Sequence, residues 1–481
     1  SPEARAREMS VEMNVATVDY LGDEWTFIDC PGSVELQQDT IGAMMVADAA
    51  IVVCEPGQER ALAVTRLMKE LDALGVPYLI YINKMDLPEA HVKNTLEALQ
   101  GMTERPLILR EVPIREDNLV TGFIDLVSER AYQWEDGAPS KLIEVPDSAN
   151  GRTEEERTQM LESLADLNDD LLEQLLEDVI PETDEVYQNL TKDLQESAIV
   201  PVFFGSAEHE NGVVRLLKAL RHETPEYTVS LDRLGVDADG EAVAQVFKTQ
   251  NGAQSGKLSL ARIWRGEFTD GLRVNGTRVS GIFKMLGAQQ NKESKAAAGQ
   301  VVALGRLDGV QTSDTLSESG KLEGSEWPPF LTPVYALAIH AGRRDDEVKM
   351  ATAMNKIIEE DPSLSYGPNV DTGEHLLRGQ GETHLRIVLD RLKNRNKLEV
   401  ESQIPQVAYK ESIRDKVSQH ARHKKQSGGH GQFGDVHVDI KPLPRGTGFQ
   451  FTDSVKGGVV PKNYIPAVEH GVKEYLARGP L

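Results

Sequence analysis

Three short polar motifs occur in a fixed order along the chain: DCPG at Asp29–Gly32, NKMD at Asn83–Asp86 and GSA at Gly205–Ala207. Each follows an apolar run: Trp25–Ile28, then Ile51–Val53 with Tyr78–Ile82, then Val200–Phe204. Short continuous apolar runs suit parallel strands, which are covered on both faces. Open sheets of such strands bind ligands at their carboxyl ends. Three polar motifs at three strand ends predict an α/β sheet with one ligand pocket.

The residue types say which ligand. A DxxG, NKxD, SA order is that of a GTP-binding domain. The Asp86 carboxylate can accept from both the N1–H and the exocyclic amine of guanine; adenine lacks that donor pair and would leave the acid unpaired. Asn83 can tie the loop together and contact the base, and the Lys84 stem can pack on its face. Ser206 and Ala207 close the base pocket from below. At DCPG, Asp29 would act on Mg²⁺ through water, since that ion keeps several waters in nucleotide sites. Gly32, with no Cβ, lets its N–H approach a γ-phosphate. Taken alone NKMD is also an ordinary strand-to-loop turn; the other two motifs in order favour the pocket.

The glycine-rich loop GxxxxGK[ST], which cradles phosphates, does not occur in this chain. The nearest string, Gly252 to Lys257, has its glycines too close, and Leu258 stands where Ser or Thr is needed. It lies between strand patterns and predicts a hairpin turn. The chain opens inside what the motif order makes the first mobile loop, so a fragment with a preceding P-loop segment is expected.

At 481 residues the chain has material for several cores. It holds no apolar run of about 18 residues and no signal peptide pattern, so neither membrane nor secretion is indicated. Its two cysteines, Cys30 and Cys54, lack CxxC spacing, which points to a reducing, cytoplasmic setting and no zinc site. The net charge of −25 argues against general coating of nucleic acid. Residues 404–481 nevertheless hold 12 Lys and Arg against 7 Asp and Glu, a locally basic end suited to one phosphate contact.

Helices are expected at Gln37–Ala47 and Glu59–Leu74. The stretch from about 104 to 199 interrupts the sheet pattern and reads as an insertion. Within it Glu154–Asp178 is an acidic helical segment with Leu161, Leu164, Leu167, Leu171, Leu172 and Leu175 on one face, a core stripe. The organisation expected is a domain at 1–226 with that insertion, a β-barrel at 227–328, an α+β sandwich at 329–403, and a last, incomplete α+β domain at 404–481. Barrel strands are placed at Lys257–Arg265, Gly271–Asn275 and Val301–Gly305. The sandwich has a strand at Val334–His340 and helices at Asp345–Glu360 and Glu382–Lys393. The last domain has strands at Asp435–Ile440 and Phe449–Thr452 and a helix at Tyr464–Ala477.

The run from Lys424 to Gly434 contains GxGxxG from Gly429. Its context opposes a dinucleotide site: a basic run precedes it and a strand follows where a helix is required. It reads either as a hairpin tip or as a cationic loop, flanked by Arg422, Lys424 and Lys425, that touches RNA. His420 and His423 have metal-like spacing, but no Cys or carboxylate follows closely, so solvated histidines are expected.

The whole chain resembles translation elongation factor G. The similarity runs through DCPG; RPLILREVPIREDNLVTGFIDLVSERAY; DPSLSYG with GQGETHLRI; HKKQSGGHGQFGDV; LPRGTGFQF; and GGVVPKNYIPAVEHG. The resemblance implies a GTP domain with an inserted subdomain, a β-barrel and two-layer α+β domains. The P-loop, the end of the fourth domain and the fifth domain of the family have no counterpart in these residues. It further implies GTP or GDP with Mg²⁺, the ribosome as partner, movement of tRNA and mRNA, and a monomer. The family's fourth-domain tip reaches the decoding centre and corresponds to Gly428–Gly434, with Lys424, Lys425, Gly428, Gly429, His430, Gly431 and Gln432 as its RNA-binding residues. The family's DTPGH histidine, which positions the attacking water, is Ser33 here; a hydroxyl cannot take up positive charge as imidazole does. In the RGITI-like string of the first mobile loop, Ser10 stands for the Mg²⁺-binding Thr and Glu8 for the Gly. These departures resemble the second elongation-factor-G-like proteins of some bacteria. Three readings follow: a translocating GTPase, a GTP-binding ribosomal regulator with little turnover, and a tetracycline-resistance-type protection protein. The GGHGQFG tip favours the first two over the third.

Overall fold

The computed structural model describes residues 1–88, 91–252, 256–321, 326–426 and 428–477. It divides into two compact units, Ser1–Pro368 with Glu374–Pro405, and Asn369–Gly373 with Gln406–Leu481.

In the first unit a four-stranded parallel sheet runs in the order Ala50–Cys54, Tyr78–Ile82, Val200–Phe204, Leu107–Leu109. Every residue of Tyr78–Ile82 and Val200–Phe204 is buried, as two-sided cover by helices requires. Trp25–Ile28 is not part of this sheet. It lies in the strand Asp23–Asp29, which pairs antiparallel with Asn14–Tyr20 through a turn at Leu21–Gly22. Trp25 to Ile28 are all half-buried: Trp25 and Phe27 pack on one core and Ile28, on the other face of the strand, packs on a second.

The segment expected as one helix at Glu59–Leu74 is two, Gln58–Leu62 and Thr65–Ala73. Between Leu107–Leu109 and Val200–Phe204 stand a four-stranded antiparallel sheet and the helices Asn150–Ala165, Asp169–Leu176 and Thr183–Gln195. The single acidic helix expected over Glu154–Asp178 breaks at Asn168, whose side chain accepts from Asp170 N–H at 3.0 Å and Leu171 N–H at 3.3 Å. Leu161, Leu164 and Leu171 are buried, whereas Leu167 and Leu172 are exposed on either side of the break.

The strand Asn14–Tyr20 also meets Ile282–Leu286, so the hairpin continues a larger antiparallel sheet of barrel strands. Gly256–Arg265 pairs with Val243–Gly252 and Val301–Gly305 around Val246, Ile263, Phe268, Val302 and Leu304. Register carries Gly252 opposite Gly256, and residues 253–255 of the expected turn lie outside the described residues. The expected strand Gly271–Asn275 shortens to Arg273–Val274. A further antiparallel sheet, with Tyr335–Ala341 and His375–Gly379 at its centre, carries the helices Glu347–Glu360 and Glu382–Asn396 over Ile339, Met354, Leu377, Leu385 and Leu392.

The second unit contains one antiparallel hairpin, Val417–Lys425 with Gln432–Ile440, and the helix Ile465–Leu476. Phe449–Thr452 forms no strand among the described residues. No described helix in the chain is long and apolar enough to cross a membrane.

Asp361 and His384 form a buried pair, Oδ2 to Nε2 at 2.9 Å, joining the ends of the two helices. His384 Nδ1 accepts from Gln380 N–H at 3.2 Å, which leaves the proton on Nε2, facing the carboxylate. Burial pushes the Asp361 carboxyl up, but the His384 hydrogen bond, the Lys248 ammonium and the Ser363 hydroxyl outweigh it and hold it below the usual range. A carboxyl lower in the folded than in the unfolded chain stabilises above its unfolded value of about 3.9, and that stability is lost as pH falls below it. Asp361→Asn is therefore expected to cost roughly 3 kcal/mol at pH 7. In thermal melts the gap to the natural protein should narrow as pH drops below about 4; a gap independent of pH contradicts the assignment.

Candidate functional site

The parallel sheet places its loops by register. Cys54 pairs with Ile82, and Phe204 pairs with Ile82 on the other side, so three chains leave the sheet at one level. Main-chain and side-chain bonds then lace them. Asn83 N–H donates to the Cys54 carbonyl at 2.8 Å, Gly205 N–H to the Ile82 carbonyl at 3.0 Å, and Met85 N–H to the Gly205 carbonyl at 3.0 Å. Ala207 N–H donates to Asn83 Oδ1 at 2.8 Å. NKMD and GSA are thus one structure, as the sequence predicts. Gly205 is required here: a Cβ would stand 2.2 Å from both the Asn211 carbonyl oxygen and the Tyr81 hydroxyl.

The Asp86 carboxylate is half-buried and has no hydrogen-bond partner among the described residues. Met85 beneath it is fully buried. An acid held at the rim of a laced loop, with no partner of its own, is free to accept from two ligand donors. Lys84 has φ 58°, and its Nζ lies 2.5 Å from Glu55 Oε1. That contact holds the Glu55 carboxyl below its ordinary range. Glu55 was not singled out from the sequence. The signal was available: Glu55 follows Cys54 as Asn83 follows Ile82, and parallel pairing makes them neighbours. Ser206 is buried and Ala207 exposed, floor and lip of the loop.

Asp29 ends a different, antiparallel strand, so DCPG does not share a sheet edge with the other motifs. Ser10 Oγ donates to Asp29 Oδ2 at 3.1 Å. A hydroxyl and a carboxylate this close, both hard oxygen donors, fit the donor chemistry of Mg²⁺. Gly32 has ordinary φ, and a Cβ there would meet nothing within 4 Å, so neither backbone strain nor packing demands a glycine. Glu8 occupies the left-handed conformation, φ 52° and ψ 36°, which costs a side-chain-bearing residue roughly 1–2 kcal/mol.

Ser33 precedes a single 3₁₀ turn, Val34–Leu36, and its side chain makes no capping bond. That turn is anchored on the helix Glu382–Asn396. Glu35 Oε2 accepts from His384 N–H at 2.8 Å, a carboxylate on the positive end of the helix. Gly381 makes room, since a Cβ there would lie 2.3 Å from Glu35 Cδ. The same helix holds the first segment: Arg7 meets Asp390 at 2.7 Å, and Glu12 meets Arg391 and Arg395, each at 3.0 Å. Leu36, Val11 and Ile387 bury together between them. Burial pushes the thiols of Cys30 and Cys54 up to about 12, so neither is a nucleophile at neutral pH.

In the second unit, Lys424 pairs across the hairpin with Phe433 and Lys425 with Gln432. Neither lysine has an ion-pair partner among the described residues. Gly428 and Gly429 have φ 70° and 69°, the left-handed region that a tight reversal needs, and His430 and Gly431 complete the exposed turn. Gln432 to Gly434 belong to the strand, so the tip is shorter than the sequence suggests. His423 Nε2 lies 3.1 Å from Gln432 Oε1 and does not approach His420.

Models of known families match consecutive parts of the chain: elongation factor Tu GTP binding domain over 1–226, elongation factor G domain 2 over 241–319, domain III over 330–403, and domain IV over 405–481. An elongation factor G-like protein of Synechocystis sp. is 46% identical, covering all of this chain and 72% of that protein. A crystal structure of a Thermus thermophilus protein superposes with a TM-score of 0.86 at 29% identity, over all of this chain and 72% of the other. The chain belongs to the elongation factor G family.

Proposed function

We propose that the protein binds GTP with Mg²⁺ and the ribosome in the cytoplasm, acts as a monomer, and promotes movement of tRNA and mRNA. The observation that carries this reading is the laced Asn83–Ala207 loop, which presents Asp86 at the edge of a parallel sheet with no hydrogen-bond partner among the described residues. The division of labour we assign is nucleotide binding by residues 1–226, with the barrel at 227–328 and the sandwich at 329–403 between it and ribosomal contact by 404–481. Asp86 reads guanine, Asn83 holds the loop shut against Ala207, and Lys84, steadied by Glu55, flanks the base. Ser10 and Asp29 are the oxygen donors for the ion, Asp29 through water. When bound, Mg²⁺ neutralises phosphate charge. Gly32 leaves space for its N–H to reach a terminal phosphate.

The discriminating test is nucleotide choice by the full-length protein. Asp86→Asn should weaken guanine nucleotides by roughly 10²-fold, because charge-assisted bonds are lost and an amide donor faces guanine donors. The same change should raise affinity for xanthine nucleotide. Unchanged guanine selectivity removes Asp86 from the pocket.

Ser33 favours a second reading, a GTP-dependent ribosomal regulator with little turnover. Its hydroxyl stands where the family resemblance has a water-positioning histidine, and Glu35 fixes the turn on its helix. Losing a positioned imidazole costs on the order of 10²–10⁴ in rate. Ribosome-stimulated phosphate release should be slow and should rise in Ser33→His. Fast release by the natural protein would rule out this second reading.

Lys424 and Lys425 are assigned to RNA phosphates beside the turn Gly428–Gly431, where bare backbone permits close approach. Replacing both with Ala should weaken ribosome binding. It should also lower the slope of log affinity against log salt by about 0.7–0.9 for each phosphate no longer neutralised. Nucleotide affinity should not move. Survival of both binding and slope would make the tip a passive hairpin.

A further inference from the structure

The hairpin of the second unit joins side chains that are distant in sequence. Its register sets His420 opposite His437 and Arg422 opposite Asp435. The two imidazoles stack with centroids 4.1 Å apart and planes 4° from parallel. His420 Nε2 lies 2.6 Å from Asp435 Oδ1. One donor atom from each of His420, Asp435 and His437 lies within 4.8 Å of the other two.

We propose that these three residues bind a divalent transition-metal ion, with Zn²⁺ as the reference case. Two imidazoles and a carboxylate are a borderline-soft donor set that suits Zn²⁺, Co²⁺ and Cu²⁺ and poorly suits Mg²⁺ or Ca²⁺. Directly opposed strand residues hold their Cβ atoms about 4.5–5.5 Å apart, so the backbone already sets the reach. A tetrahedral ion with bonds of about 2.0–2.1 Å needs donors a little over 3 Å apart. The donor atoms already lie within 4.8 Å of one another, so binding asks the stacked rings to splay around the ion. Three protein ligands leave a fourth position for water, and the exposed face of the hairpin supplies both water and an entry path.

Arg422 is the group that opposes binding, with Nε 3.5 Å from Asp435 Oδ2. It approaches the carboxylate oxygen that does not face His420. Its guanidinium also rests 5.5 Å over the Phe433 ring, which gives it a place to stay when Oδ1 takes the ion. In that arrangement Arg422 is an outer partner that orients the ligating carboxylate.

Calorimetric titration of the full chain with ZnCl₂, with the visible spectrum of Co²⁺ as a coordination reporter, tests this. The natural protein should take up an equivalent of ion that His420→Ala, His437→Ala and Asp435→Asn each lose or weaken more than about tenfold. Asp435→Asn preserves shape, so its loss of the ion reports ligation and not unfolding. His423→Ala, three residues from His420 and bonded instead to Gln432, should bind as the natural protein does. The proposal is overturned if the natural protein takes no ion, if the three variants keep it, or if His423→Ala loses it.

Discussion

The site depends on one constraint: three parallel strands end at the same level. Cys54, Ile82 and Phe204 are in register, and both flanking strands pair with the fully buried Tyr78–Ile82. Slipping one strand by a residue would break the main-chain bonds at the strand ends, Asn83 N–H to the Cys54 carbonyl or Gly205 N–H to the Ile82 carbonyl. The same slip would separate Asn83 from Ala207 and Met85 from Gly205. The pairing register therefore specifies the polar geometry, and the base-reading loop needs no dedicated scaffold. Gly205 shows how tight this is, because the close approach of Tyr81 and Asn211 leaves no volume for a methyl group.

The other half of the site rests on the helix Glu382–Asn396. Its N-terminus takes the Glu35 carboxylate and its flank takes Glu12 and Arg7, so both segments around Asp29 are held by charge on one element. Several of these ion pairs are partly exposed and individually worth about 1 kcal/mol or less. Placement comes from their convergence and from the small apolar cluster of Val11, Leu36 and Ile387 beneath them. An arrangement of many weak restraints around an N-terminal segment can be released without unfolding either neighbour. Segments that respond to a ligand are drawn from such regions.

Much of this was legible in the sequence, and the misses have physical causes. NKMD and GSA could be joined because continuous apolar runs imply parallel strands and parallel strands imply a common edge. Trp25–Ile28 was misassigned because four largely apolar residues fit both a fully buried parallel strand and an antiparallel one half-covered on each face. Pairing with Asn14–Tyr20, which places Thr17 opposite Thr26, decides for the second. The split of the acidic helix was signalled by Asn168 followed by Asp169 and Asp170, a capping residue ahead of first-turn acids. The split near Ala63 had no such signal, since neither glycine nor proline marks it and Val64 departs only slightly from helical angles.

The hairpin exposes a different limit. Local spacing drew attention to His420 and His423, which a helix would bring together and a strand sends to opposite faces. In the extended conformation the partners of His420 are fixed by pairing, so they lie at Asp435 and His437, beyond any short motif. The alternation of the strand puts His420 and Arg422 on one face with Asp435 and His437, while His423 faces away with Gln432. The glycines of the turn set that register: with Gly428 and Gly429 in the left-handed region, Lys425 meets Gln432, and every later pair follows from that closure. The turn chemistry that exposes the lysines at the tip is thus also what assembles the histidine pair below it.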